Sequence, residues 1–259
     1  MIDLSHSFFP EFFQWWHIPF LFMAGLIGEG YGALVGGGSL VTQPALLVTG
    51  LPLHSVLAID ATGPIATEAG ILTETRKDVV KRRKLVLLMA IPVILGGILG
   101  THLLITTSPE VIKYIMVGSI LLILGDGFIT NKKRRSTHVS KERYAVMMVS
   151  MFVISVYTIF IGLGEGTFGR LALMITLGLT FVQSQGISAA AKMPARIYAL
   201  VITAMAGLIV WPYLLTFWCS NFIAGKYDTK LIKKIPDKYM RTLMFIVSVA
   251  FAIYLLFYY

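Results

Sequence analysis

Seven stretches of this chain run for long distances without an Asp, Glu, Lys or Arg. They are Phe12–Gly28, Gly30–Ile59, Leu85–Pro109, Tyr144–Gly164, Leu171–Ala191, Ile197–Gly225 and Thr242–Tyr259. A soluble domain covers its surface with roughly 25% charged residues, and here the share is 14%. A helix needs about 20 apolar residues to cross the hydrocarbon of a bilayer, so these runs predict several crossings. No alternation of polar and apolar residues is visible, which points to helices rather than a barrel. The expected fold class is therefore an all-α polytopic membrane protein. Residues 1–16 carry Asp3 and Glu11 but no Lys or Arg, unlike the basic start of a cleaved signal peptide. Their Phe and Trp residues read as an interfacial aromatic belt.

The net charge of +9 raises the question of nucleic acid, and the placement of the charge answers it. Eighteen of the 22 basic residues fall in three stretches, Arg76–Lys84, Lys132–Arg143 and Lys226–Arg241. Basic residues concentrate in cytoplasmic loops, so all three are expected on the cytoplasmic side of an inner (plasma) membrane, with the N-terminus outside. The lipid bilayer is the partner this pattern implies, and nucleic acid is not. Between the first two basic loops the chain must cross an even number of times, and Leu85–Ile105 and Pro109–Thr130 supply two spans. Between the second and third loops four spans fit. Two also fit, if the first pair forms a re-entrant hairpin.

An internal repeat supports this count. Gly36-Gly37-Gly38-Ser39 matches Gly164-Glu165-Gly166-Thr167 at an offset of 128, and Gly50-Leu51 matches Gly178-Leu179 at the same offset. The expected organisation is a first membrane repeat over 14–131, a basic cytoplasmic linker at 132–141 and a second repeat over 142–259. Corresponding loops carry opposite charge character: Arg76–Lys84 is basic and its counterpart near Thr203–Trp211 is uncharged. Similar halves with reversed loop charge predict an inverted-topology repeat of about five segments per half, with short helices broken at glycine. In such proteins the substrate site lies near the repeat interface.

The glycine clusters leave short apolar pieces behind them, Ser39–Thr49 and Thr167–Leu177. At 1.5 Å per residue each reaches only about half of a 30 Å core. A helix that begins inside the membrane presents unpaired N–H groups and a partial positive charge, a ready anion site. The candidate substrate-binding residues are therefore Gly36, Gly37, Gly38 and Ser39 in the first half, with Gln43 one turn on. Gly164, Glu165, Gly166 and Thr167 are their equivalents in the second half. Close helix packing is the alternative use of such glycines.

Gly25-x2-Gly28, followed by Gly36-Gly37-Gly38-Ser39-Leu40-x3-Pro44-Ala45-Leu46-Leu47-x2-Gly50-Leu51-Pro52, resembles the first repeat motif of the sulfite exporter TauE/SafE family. Gly162-x-Gly164-Glu165-Gly166-Thr167 with Leu177-Gly178-Leu179 resembles its second. Ala191-Lys192 is similar to the threonine–lysine pair that follows that motif in many members, with Ala191 in place of the threonine, and Asp60 stands where a small polar residue is more usual. The resemblance implies transport of small sulfur-containing anions, such as sulfite, thiosulfate or an organosulfonate like sulfoacetate, coupled to protons.

Charges inside the membrane are costly and therefore informative. Lys192 and Arg196 lie four apart on one helix face and are candidates for neutralising the anion. Their alternative is a structural ion pair with Glu29, Asp60, Glu68 or Glu165. Glu165, Asp60 and Glu68 are the candidate coupling carboxylates, and Asp60 and Glu68, eight apart, share one helix face. For Glu165 a permanent pair with Lys192 or Arg170 is the alternative. Kinks are expected at Pro44 and Pro64. One cysteine and five scattered histidines offer no metal set, no cofactor motif is present, and neither a nucleophile constellation nor a nucleotide loop points to an enzyme. An uncoupled anion channel shares every feature with a secondary transporter at this level.

Overall fold

The computed structural model describes residues 10, 12–35, 38–126, 141–163, 165–231 and 249–256. Among them every regular element is a helix. In chain order these are α1 (His17–Val35), α2 (Ser39–Val48), α3 (Leu53–Thr62), α4 (Pro64–Lys81), α5 (Arg83–Thr106), α6 (Pro109–Asp126), α7 (Lys141–Phe160), α8 (Glu165–Leu177), α9 (Phe181–Met205) and α10 (Trp211–Leu231), followed by a helical stretch at 249–256. Two helical stretches, Arg83–Thr106 and Glu142–Phe160, are long and apolar enough to cross a membrane by length and composition. Both carry outward-facing aliphatic stripes: Leu87, Ile91, Leu95 and Leu99 on α5, and Val146, Val149 and Val153 on α7. Water would penalise such a surface, and lipid does not.

The opposite face of each helix is small or apolar and buried. Gly96 and Gly100 of α5 lie against the backbone of Phe152 and Val156 in α7; a Cβ on Gly100 would meet the Val156 carbonyl oxygen at 2.6 Å. Ser155 of α7 donates to the Val93 carbonyl at 2.7 Å, tying the pair together. α10 packs on α1 through Gly25 and Ser220, and on α4 through Gly70 and Gly225. α9 crosses α5 at Gly97 and Ala195, and α4 at Gly186 and Thr75. Hydrophobic burial drives little association between helices in lipid, so close backbone approach over small residues supplies the contact.

Helices distant in sequence are thus brought together: α5 packs on α7, and α10 on α1. At the 128-residue offset, α2 matches α8 and α10 matches α5. Gly50 and Gly178, the glycines that end α2 and α8, also match and both hold positive φ, 85° and 64°. Beyond each, an extended step leads to the next helix, and Thr180 caps α9 in a capping box with Gln183.

The first basic stretch is not a loop. α4 runs to Lys81 and α5 starts at Arg83, with a single turn at Arg82 (φ −111°) between them. Lys81 suits the C-terminus of α4, whereas Arg83 and Lys84 sit at the positive end of α5, against the helix dipole. The third stretch begins inside α10, which continues to Leu231. The linker at 132–140 and residues 232–241 lie outside the described residues.

Candidate functional site

The start of α2 lies against the turn before α8. Ser39 Oγ donates to the Gly162 carbonyl at 3.1 Å, and Gln43 Nε2 donates to the Ile161 carbonyl at 2.6 Å. The two glycine-rich motifs, more than a hundred residues apart in sequence, thus meet in space. Gly162 holds φ 80°, the left-handed region that glycine adopts without strain. A Cβ there would sit 2.8 Å from Asp60 Oδ2, 3.3 Å from Gln43 Nε2 and 3.4 Å from Ser39 Oγ. Glycine at 162 is required both by its backbone angle and by the polar side chains crowded against it.

Asp60, near the end of α3, closes the group. Its two carboxylate oxygens accept from the Thr42 hydroxyl and from Gln43 Nε2, the latter at 2.8 Å. Gln43 is fully buried; its amide nitrogen serves two acceptors while its Oε1 has no hydrogen-bond partner. A buried acceptor left without a donor is costly.

The second cradle lies on α9. Lys192 and Ser188, one turn apart on the same face, both point at Gly169 in α8: a Cβ on Gly169 would be 3.3 Å from Lys192 Nζ and 3.3 Å from Ser188 Oγ. Lys192 is 8% exposed. A side chain at 169 would crowd both groups, so glycine there lets the buried ammonium and the hydroxyl lie close against α8. Ser188 follows Asp60, and Lys192 follows Pro64, at the 128-residue offset of the glycine motifs.

Arg196, one turn beyond Lys192, is fully buried and has a different partner. Its Nε donates to Glu68 Oε1 at 2.8 Å, and its Nη1 to the Ala61 carbonyl. Of the four carboxylates weighed as partners for Arg196, Glu68 makes this ion pair. Asp60 and Glu68 are not brought together as one lining face: Asp60 turns to α2, and Glu68, beyond the interruption at Gly63–Pro64, turns to α9. Glu29 of α1 accepts from Thr67 of α4 at 2.9 Å. Gly38 makes the turn into α2, its carbonyl accepting from Val41 and Thr42. Gly36, Gly37 and Gly164 lie outside the described residues. Glu165, Gly166 and Thr167 form the first turn of α8, and their side chains, like that of Arg170, are likewise outside the description.

Thr42 and Ser188 were not singled out from the sequence. Each was within reach of a simple rule: Thr42 adjoins Gln43, and Ser188 lies four residues before Lys192 on its helix face. Nothing in the sequence marked Gly169 apart from other glycines.

Residues 21–255 match the family described as "Sulfite exporter TauE/SafE". Similar curated proteins include a "Probable membrane transporter protein" of Haemophilus influenzae, 24% identical over 238 residues and covering 89% of this chain and 91% of its own. The "Probable membrane transporter protein ORF9" of Sinorhizobium is 24% identical, covering 92% of each chain. The "Probable membrane transporter protein YfcA" of Escherichia coli is 21% identical, covering 92% of this chain and 88% of its own. The match spans α1 to the last described helix and includes both glycine motifs and both polar cradles: the chain belongs to the sulfite exporter TauE/SafE family of membrane transporters.

Proposed function

We propose that the protein is a secondary transporter of a small sulfur-containing anion, of the sulfite, thiosulfate or organosulfonate class, with two inverted halves in the inner membrane. The observation that carries this reading is the meeting of the two glycine-led short helices at Ser39–Gly162, with the buried Lys192 ammonium beside Gly169. An anion with several equivalent oxygens suits such a place. Lys192 neutralises its charge, Ser188 donates from its hydroxyl, and the N–H groups at the starts of α2 and α8 complete the shell. Ser39 holds the Gly162 turn beside that shell, and Gly38 lets the start of α2 lie against Gly28 and Gly32 of α1. Arg196 acts behind Lys192, holding α9 to α4.

Inverted topology is supported by the exchanged packing of the halves and by the matched glycine turns at 50 and 178. Basic stretches at 76–84, 132–143 and 226–241 on the cytoplasmic side, with the N-terminus outside, follow from the positive-inside rule. Proton coupling is assigned to Asp60 and Glu165, with Glu68 engaged through Arg196. Protonating Asp60 turns one of its acceptor oxygens into a donor and breaks a bond to Thr42 or Gln43, which links a proton to the shape of the α2 start.

Binding to purified protein, measured by calorimetry with sulfite, thiosulfate, sulfoacetate and taurine, tests the substrate class. At least one sulfur anion is expected to bind saturably, and failure of all four would overturn it. In proteoliposomes, Glu165→Gln is expected to retain anion binding and Asp60→Asn to weaken it without abolishing it, both flattening its dependence on pH. An unchanged pH profile in both variants would remove the coupling assignment.

A further inference from the structure

A helix interrupted inside a membrane leaves main-chain carbonyls that water cannot reach, so protein groups must supply the donors. The interruption between α3 and α4 is one of the hydrogen-bond ladder: Gly63 keeps helical dihedrals (φ −54°, ψ −44°) and donates to the Ile59 carbonyl, but Pro64 has no N–H to offer the Asp60 carbonyl. Two donors arrive from the second half of the chain. Arg196 Nη1 of α9 reaches the Ala61 carbonyl, and Trp218 Nε1 of α10 donates to the Thr62 carbonyl at 3.2 Å. Asn221, 1% exposed and one turn beyond Trp218, brings its Nδ2 to 3.2 Å from where a Cβ on Gly63 would stand. The interruption is thus held from outside its own helices, immediately after the residue whose carboxylate meets Thr42 and Gln43.

From this juxtaposition we propose that Trp218, with Arg196, is a positioning residue for Asp60: it fixes the end of α3 so that the carboxylate stays on the start of α2. The proposal rests on the reading of Asp60 as part of the transport site. The choice of tryptophan follows from its chemistry. The indole N–H donates once and has no acceptor to satisfy, so its ring can stand on a lipid-facing surface. That ring lines an apolar groove of about 620 Å³ with Ala66, Ala69 and Phe222. A donor on this side must carry an apolar body, and Lys or Ser at this position would not.

The test uses the full chain in lipid nanodiscs. Infrared difference spectra with Asp60→Asn identify the Asp60 carboxyl band. Trp218→Phe, which keeps an aromatic ring and removes the N–H, is expected to shift that band. Arg196→Lys, which keeps the charge for Glu68 and shortens the reach to Ala61, is a second variant expected to shift it. A band unmoved in both variants overturns the proposal. For whichever of sulfite, thiosulfate, sulfoacetate and taurine binds the unaltered protein, Trp218→Phe is expected to weaken affinity at least threefold, and to have no further effect in the Asp60→Asn background. Independent, multiplicative losses in that double variant would also overturn it. A shifted band with Asp60→Asn silent in both binding and its pH dependence would instead uphold the positioning role and remove Asp60 from the transport site.

Discussion

The segment α3–α4 and the helix α9 are related by the 128-residue offset of the glycine motifs, and both contain a proline near the middle, yet only one is divided. α9 runs from Phe181 to Met205 through Pro194 without a break. Its counterpart stops at Thr62 and resumes at Pro64. A proline alone therefore does not decide the matter, although it removes one hydrogen bond in either place. The α3–α4 segment adds Gly63 immediately before the proline, and side chains from α9 and α10 donate to the loosened carbonyls of Ala61 and Thr62. The interrupted segment carries Asp60 ahead of the break and Glu68 behind it. The continuous helix carries Ser188, Lys192 and Arg196 in one row. The acidic side chains are divided between two neighbours, whereas the basic ones lie on one continuous helix.

The sharpest way to break that comparison is to remove the pin between the two segments. Arg196 and Glu68 are buried together, and a buried pair stripped of one member leaves an uncompensated charge. Arg196→Met is expected to destabilise by about 3–5 kcal/mol. Replacing both residues by methionine recovers most of that loss, because the pair's own desolvation cost disappears with it. Thermal unfolding in detergent, followed by aggregation-coupled size exclusion, separates the variants. A single variant as stable as the parent would mean the pair does not hold α4 to α9.

Next in size is the loss of charge at the basic face. Lys192→Ala is expected to lower anion affinity at least tenfold, about 1.4 kcal/mol, with the fold retained. Ser188→Ala, which removes one neutral hydrogen bond worth about 0.5–1.5 kcal/mol, is expected to cost roughly three- to tenfold. Equilibrium binding on purified variants gives both values. Undiminished affinity in Lys192→Ala would take the ammonium out of the site, and the cradle at Gly169 with it.

The sequence carried the outline of this arrangement further than its wiring. The short pieces read as Ser39–Thr49 and Thr167–Leu177 emerge as α2 and α8 with nearly the same limits, because Gly50 and Gly178 take the left-handed conformation that ends a helix. Matching turns at Gly50 and Gly178 were legible for the same reason. The partner of Arg196 was not: four carboxylates were within reach in principle, and the choice of Glu68 depends on how α4 crosses α9 at Gly186 and Thr75. Spacing fixes which residues share a face of one helix, and it is silent about what that face meets. The division of Asp60 from Glu68 was hidden similarly. Eight residues apart predicts one face, but the two side chains turn to different helices on either side of Gly63–Pro64, where Arg196 and Trp218 donate to the carbonyls.

The smallest expected effect separates the two prolines most directly. Pro194 lies inside a helix that continues regardless, so Pro194→Ala restores an N–H to the carbonyl of Ala190 and relieves the ring's clash with the preceding turn. A single net hydrogen bond is worth about 1 kcal/mol, and the substitution is expected to raise the unfolding temperature by a few degrees while anion affinity changes less than twofold. Pro64→Ala offers the same N–H to the Asp60 carbonyl, immediately before the Ala61 and Thr62 carbonyls that Arg196 and Trp218 hold. Restoring it draws α3 and α4 toward one continuous helix and turns the Asp60 carboxylate away from Gln43. That variant is therefore expected to lose affinity even where it gains stability. Equal behaviour of the two alanine variants in binding would show that the interruption at Gly63–Pro64 is a packing detail rather than a part of the transport site.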